Sequence, residues 1–236
     1  MPANKFSILC TSEMDIPPKH ILPENISIDI IPLIKKKIIH SAYIKETAHD
    51  LLNKKITAIF TSKTAVMAIA AIHKIIPLWK IYCIENSTKH AVKQYFPMSA
   101  IAGTAGNARD LAKKIIDNGE SEVVFFCGNK RLDDLPVLLK GAGIVLKEYI
   151  VYETLITAKK ITKEYEAIIF LSPSAVQSFY TKNSTGNNTT FFALGKKTAE
   201  AIHRFTNNQI IVAHFPGKEN ILTEAIDFLN TPTIAQ

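Results

Sequence analysis

The chain has 236 residues, 47% of them hydrophobic, and carries 28 Lys and Arg against 21 Asp and Glu, a formal charge of +7 at pH 7. That apolar content over that length excludes a disordered chain and suits one large domain or two small ones. The positive excess favours polyanions as a class, whether nucleic acid, phosphate ester or polycarboxylate, without choosing among them.

Read from the N-terminus, Met1 to Cys10 shows no secretory pattern and runs into a strand over Phe6 to Cys10. Pro17, Pro18 and Pro23 interrupt the next connection, so any helix there is short. Branched apolar runs predict further strands near Ile28 to Ile31, Ile56 to Thr61, Lys80 to Ile84, Ala100 to Ala102, Glu122 to Cys127, Ile144 to Tyr152, Ala167 to Leu171, Thr190 to Leu194 and Ile210 to Ala213. Amphipathic spacing predicts helices near Ala42 to Asn53, Thr64 to Ile75, Lys89 to Tyr95, Asn107 to Asn118, Arg131 to Lys140, Ser174 to Tyr180, Lys197 to Phe205 and Glu219 to Leu229. The alternation of strand and helix is that of parallel sheets covered on both faces. The longest apolar run, Ala65 to Ile72, is too short to cross a bilayer, and a soluble cytoplasmic protein is expected.

The chain also repeats itself. Phe60-Thr61-Ser62-Lys63-Thr64-Ala65-Val66 returns 110 positions later as Phe170-Leu171-Ser172-Pro173-Ser174-Ala175-Val176, and the same offset carries Ser87 to Val92 onto Lys197 to Ile202. An offset of 111 carries Leu111 and Ile115 onto Leu222 and Ile226. The tail after residue 160 supplies only three strands, too few for an open sheet, and borrowing the two N-terminal strands restores five. The expected fold is therefore α/β, with two similar open parallel-sheet domains of flavodoxin-like topology joined by a two-segment crossing. Residues 1–34 with 160–236 form one discontinuous domain, 40–148 an inserted one, and 35–39 and 149–159 the crossings.

Hydroxyl, amide or glycine residues stand at several expected strand-to-helix junctions: Thr61-Ser62 with Thr64, Ser87-Thr88, Gly106-Asn107, Gly128-Asn129, Ser172 with Ser174, Thr198 and Gly217. Unpaired N–H groups at a helix start suit carboxylates or phosphates, and in open parallel sheets these junctions lie where ligands bind. Plain N-capping accounts for the same residues one at a time. No phosphate-loop or dinucleotide glycine pattern occurs. The seven histidines stand singly, and Cys10, Cys83 and Cys127 read as buried thiols at strand ends, so no metal is expected. Ser172 and Ser174 lack the surroundings of a nucleophile.

Two segments are more particular. Cys127-Gly128-Asn129-Lys130-Arg131-Leu132-Asp133-Asp134-Leu135-Pro136 puts an amide and two bases around a helix start, where Lys130 or Arg131 either meets an acidic ligand or faces solvent. In Glu148-Tyr149-Ile150-Val151-Tyr152-Glu153-Thr154, strand alternation sends Ile150 and Tyr152 to one side and Tyr149 and Val151 to the other. A tyrosine here either packs a domain joint or faces a cleft as a neutral proton donor.

Taken in order, these motifs resemble those of the uroporphyrinogen-III synthase family over most of residues 55 to 229. Phe60-Thr61-Ser62 with Ala65-Val66 looks like the family's first Thr-Ser junction, Gly128-Asn129 with Arg131 and Leu135-Pro136 its Gly-Asn segment, and Val151-Tyr152-Glu153-Thr154 its tyrosine-bearing return crossing. Phe170 to Val176, followed by Ala193-Leu194-Gly195-Lys196-Lys197-Thr198-Ala199, carries the most specific likeness. Two positions depart: Glu85 stands where a glycine is usual three residues before Thr88, and Thr11-Ser12-Glu13 where many relatives have an arginine. The resemblance implies a cofactor-free cyclisation of hydroxymethylbilane to uroporphyrinogen III, with ring D inverted through a spiro intermediate and water lost. It implies Tyr152 as the proton donor to the departing hydroxyl. Thr61, Ser62, Thr88, Ser172, Ser174 and Thr198 would bind the acetate and propionate arms of the linear tetrapyrrole, with Asn129 and Arg131 in support. The expected partners are that substrate, with no nucleic acid and no membrane, a transient contact with the enzyme that produces hydroxymethylbilane, and no second copy. The rival readings are a non-enzymatic two-domain anion-binding protein and a nucleic-acid binder, the latter opposed by the lack of a basic helix or an aromatic stacking series.

Overall fold

The computed structural model describes residues 5–18, 21–72, 77–215 and 217–231. In chain order the elements are β1 (Phe6–Cys10), β2 (Ile26–Ile30), β3 (Ile34–Ile38), α1 (Ala42–Leu52), β4 (Thr57–Phe60), α2 (Lys63–Ala70), β5 (Lys80–Ile84), α3 (Ser87–Tyr95), β6 (Ala100–Ala105), α4 (Ala108–Asp117), β7 (Glu122–Gly128), α5 (Asp134–Gly141), β8 (Val145–Ile156), β9 (Ala167–Phe170), α6 (Pro173–Tyr180), β10 (Thr190–Ala193), α7 (Lys196–His203), β11 (Ile210–Val212) and α8 (Lys218–Asn230). The first half of the expected 64–75 helix is α2, and residues 73–75 of that expectation lie outside the described residues. The helix expected from Arg131 begins instead at Asp134, which leaves Arg131 in the loop.

The chain divides into two compact units: a first from residues up to Lys35 together with those from Leu155 onward, and a second from Lys36 to Thr154. The first holds a sheet in the order β2-β1-β9-β10-β11, with each neighbouring pair parallel. Numbered along that unit's own chain the order is 2-1-3-4-5, the flavodoxin arrangement. The second sheet runs β3-β8-β7-β4-β5-β6. Leaving β3 aside, it has the same layout with a permuted chain: β4, β5 and β6 take the places of β9, β10 and β11, while β7 and β8 take those of β1 and β2. The repeat offset of 110 is the sequence trace of that equivalence, since β4, β5 and β6 begin at 57, 80 and 100, and β9, β10 and β11 at 167, 190 and 210.

Both sheets are buried on two faces. Along β7, Val124 and Phe126 enter one apolar cluster while Val123, Phe125 and Cys127 enter the other. Along β9, Ile168 and Phe170 go one way and Ala167 and Ile169 the other. This is period-two alternation in which both sides are apolar because helices cover both. Helix α1 shows how the covering layer is specified: Ser41 Oγ accepts the Ile44 N–H at 3.2 Å to start it, and Ile44, Ala48, Leu51 and Leu52 form its buried stripe. The Trp79 indole then donates to the Leu51 carbonyl at 3.0 Å and stacks on Phe126, with centroids 5.5 Å apart.

Residues 34–38, which overlap the crossing expected at 35–39, form the strand β3 beside β8. The Ile39 N–H bonds the Val151 carbonyl and the Thr157 N–H bonds the Leu33 carbonyl. The two crossing segments thus satisfy each other's backbone, which an extended chain needs when half-buried. No helix among the described residues is long and apolar enough to cross a membrane.

Candidate functional site

In the second unit, strands β4, β5, β7 and β8 end on one rim, and the residues just beyond them carry the polar groups. Strand β4 stops at Phe60, and Ser62, extended at φ −147° and ψ 134°, caps α2 by accepting the Thr64 N–H at 3.2 Å. Thr61 sits half-buried between strand and cap. The 110-residue repeat does the same in the first unit, where Ser172 caps α6 by accepting the Ala175 N–H at 3.3 Å, with Pro173 opening the helix and Ser174 following it.

The other two expected caps differ. Asn86 and Gly195 occupy the cap positions of α3 and α7, neither with a side-chain cap bond. Thr88 and Thr198 lie inside the first turns and are buried, at 4% exposure each. Asn86 has φ 60°, the sole positive φ among the described non-glycine residues. The glycine-like backbone of this junction is therefore met at Asn86, while the neighbouring Glu85 carboxylate accepts the Thr104 hydroxyl at 3.3 Å. At the first-unit departure, Thr11 turns its hydroxyl into the sheet and donates to the Ile169 carbonyl at 2.7 Å.

Tyr152 is the buried phenol of the rim, 9% exposed. The expected alternation fails here for a definite reason. Opposite β7, Cys127 pairs with Ile150 but Gly128 pairs with Tyr152, so Val151 is an extra residue and a bulge. Beyond it the side chains change faces: Ile150 is exposed, while Tyr149, Val151 and Tyr152 all pack against one cluster. The bulge lays the Tyr152 ring on the β7 backbone at Gly128, where a Cβ would stand 2.4 Å from Tyr152 Cζ and 2.8 Å from its hydroxyl oxygen. Asn129 fastens the same turn from both sides, its N–H donating to the Tyr152 carbonyl at 3.2 Å and its Oδ1 accepting the Thr154 N–H at 2.8 Å.

Burial pushes the Tyr152 phenol above its ordinary pKa, a hydrogen bond with the Ser62 side chain draws it back in part, and Cys127 adds to the rise. Lys36 Nζ lies 5.4 Å from the centre of the Tyr152 ring and 3.4 Å from Ser62 Oγ. Arg131, in the loop after β7, bonds Glu148 through Nε and Asp133 through Nη1, and Lys140 reaches the other Glu148 oxygen at 3.0 Å. Cys127 is buried, its thiol raised to about 11 first by burial.

The structure therefore groups Tyr152, Ser62 and Gly128 through direct contacts, with Asn129 tied to the Tyr152 backbone and Thr61 next to Ser62, while Thr88 follows β5 and Arg131 follows β7 in the same unit; Ser172, Ser174 and Thr198 belong to the other unit. Gly128 as the seat of the ring, Glu148 as the partner of Arg131, and Lys36 were missed by sequence reasoning. For Lys36 a signal exists in Ile34-Lys35-Lys36-Lys37-Ile38: read as a strand, its alternation puts Lys36 on the same side as the two isoleucines.

The family model for uroporphyrinogen-III synthase HemD matches residues 26–223. Among solved structures, uroporphyrinogen-III synthetase from Helicobacter pylori is similar over 94% of this chain and 99% of its own, at 18% identity and a TM-score of 0.66. A mutant uroporphyrinogen III synthase from Thermus thermophilus is similar over 95% of this chain and 97% of its own, at 12% identity and a TM-score of 0.61. At such identities these likenesses speak for the fold alone. No curated protein matches the sequence.

Proposed function

The chain belongs to the uroporphyrinogen-III synthase HemD family, and from that premise we propose that the Tyr152 rim of the second unit is where its ring closure is set off. The reaction is the cyclisation of hydroxymethylbilane to uroporphyrinogen III, and the enzyme is a cyclising lyase; the reading as a non-enzymatic anion receptor is not favoured. Tyr152 donates its phenolic proton to the terminal hydroxyl, the C–O bond breaks, and water leaves an azafulvene-like electrophile. The far pyrrole attacks through its substituted position, and the spiro intermediate fragments and recloses with ring D inverted. A phenol whose pKa is raised by burial stays protonated through neutrality, as a proton donor must.

The arms of the substrate carry eight carboxylates. Thr61, Ser62 and Thr88 with Asn129 and Arg131 in the second unit, and Ser172, Ser174 and Thr198 in the first, bind them through many modest donors rather than one strong charge. Such binding folds a flexible chain so that its two ends meet, which is the main demand of a reaction that otherwise closes head to tail. The protein acts in the cytoplasm as a monomer and receives its substrate through transient contact with the enzyme that makes it.

The observation that carries this reading is the buried Tyr152 phenol, laid on Gly128 beside the Ser62 cap. The test is a coupled assay with freshly generated hydroxymethylbilane. Folded protein is expected to divert the product from the type I to the type III isomer; an unchanged isomer ratio rejects the function, and an unchanged turnover in Tyr152→Phe rejects the rim.

A further inference from the structure

Lys36 occupies an unusual place. It is the middle of three consecutive lysines in β3, a strand at the edge of its sheet. Lysines on an edge strand commonly keep it from pairing with other chains, and Lys35 and Lys37 are suited to that. Lys36 shares the other side of the strand with Ile34, which packs against the core of the first unit, and Ile38, which packs against that of the second. A charge set between two core-facing residues is not ordinary surface decoration. Lys36 is exposed, and its ammonium stands over the Tyr152 ring, 5.4 Å from the centroid, and at the Ser62 hydroxyl, 3.4 Å away.

We infer that Lys36 is a positioning residue for the proton transfer: it fixes the Tyr152 ring through its face, orients the Ser62 hydroxyl, and holds positive charge beside the phenolate that forms when the proton leaves. The inference rests on Tyr152 as the donor. In the first step the phenolic O–H bond breaks, its proton goes to the hydroxyl of the substrate, and the C–O bond releases water with its electron pair. The positive charge left on the substrate is balanced by the negative charge on Tyr152. The phenolate recovers a proton when the closing pyrrole loses one on regaining aromaticity, so Tyr152 is restored and the sum is loss of one water. During the interval a cation near the ring lowers the cost of the phenolate, whereas the neutral phenol gains only the weaker cation–ring attraction. The difference acts on the transition state and not on substrate binding.

Ser62 from the cap of α2 and Cys127 from β7 act on the phenol, and Lys36 from β3 stands over its ring and at the Ser62 hydroxyl.

The experiment compares Lys36→Met and Lys36→Arg, each in the parent and in a Tyr152→Phe background, by steady-state kinetics on hydroxymethylbilane and by absorbance titration of Tyr152 against Tyr152→Phe as blank. In the parent, Lys36→Met is expected to lower kcat by about 3- to 30-fold, the span of a cation–ring contact, with KM little changed, while Lys36→Arg keeps most of it. The titration midpoint of Tyr152 moves up in Lys36→Met and stays in Lys36→Arg. Without the phenol, Lys36→Met changes kcat no further. A raised KM at unchanged kcat overturns the proposal and makes Lys36 a carboxylate contact. An unmoved titration in Lys36→Met overturns it as well. If Tyr152→Phe keeps full turnover, the donor assignment fails separately, and the titration still decides whether Lys36 acts on the phenol.

Discussion

Gly128→Ala is the sharpest perturbation of the rim, because it adds one methyl group at the place where Tyr152 is seated. The new Cβ would lie 2.4 Å from Cζ, 2.5 Å from Cε2 and 2.8 Å from the hydroxyl oxygen of Tyr152. Relaxed carbon–carbon contact is about 3.5 Å or more, so the ring has to withdraw by about 1 Å or the bulged strand has to shift. Neither movement is free: the ring packs in the apolar cluster of the second unit, and Asn129 ties the strand at the Tyr152 carbonyl and at the Thr154 N–H. Overpacking of this kind costs about 1–3 kcal/mol. A displacement of about 1 Å in a reacting group can cost about 100-fold in rate. Urea unfolding and type III product formation measure the two effects. A Gly128→Ala protein with the stability and turnover of the parent would refute the seat. Placing Gly128→Ala on a Tyr152→Leu background removes the clashing hydroxyl and ring edge, so the two substitutions should couple by about 0.5–3 kcal/mol; strict additivity would point to a different origin for the loss.

Tyr152→Phe keeps the ring and removes the proton; its kcat is expected to fall by about 100-fold or more, well beyond the moderate loss in Ser174→Ala, and equal losses in kinetic assays would end the special role of the phenol. Asn86→Gly relieves a φ of 60° at the entrance of α3 and should raise the unfolding free energy by about 1 kcal/mol; a urea midpoint at or below that of the parent would show that Asn86 is not strained there. Burial pushes the Glu148 carboxyl up, but the bonds and charges of Arg131 and Lys140 outweigh it and hold the carboxyl below its ordinary range. A folded-state pKa depressed in this way adds stability above the unfolded value of about 4.3 and loses it as pH falls through the folded one. Glu148→Gln should therefore unfold more readily than the parent near neutrality, with the gap closing in acid; a gap that persists in acid would mean that Glu148 acts through packing instead of charge.

The local elements could be read in advance because their causes lie within a few residues. Phe6–Cys10 and Lys80–Ile84 form the strands that their branched apolar runs predict, and Ser62 and Ser172 cap helices because an extended serine can reach an N–H two or three residues on. Where the cause was a neighbour far along the chain, local reading failed. The backbone of residues 34–38 looked like a linker until β8 supplied its partner, and Thr88 and Thr198 looked like caps although Asn86 and Gly195 hold those positions. The bond from Arg131 to Glu148, seventeen residues on, was likewise not legible from the loop sequence.

By itself the sequence determined the α/β class, the repeated strand-turn-helix pattern and the residue types at the strand ends, since periodicity, capping and turn chemistry are settled by spacing along the chain. Tertiary structure alone decided that β7 and β8 stand in one sheet where β1 and β2 stand in the other, that a bulge at Val151 turns Tyr152 inward onto Gly128, and that Lys36 meets its ring. Strand order and register depend on backbone hydrogen bonds between distant segments, and no pattern confined to one segment encodes its neighbour.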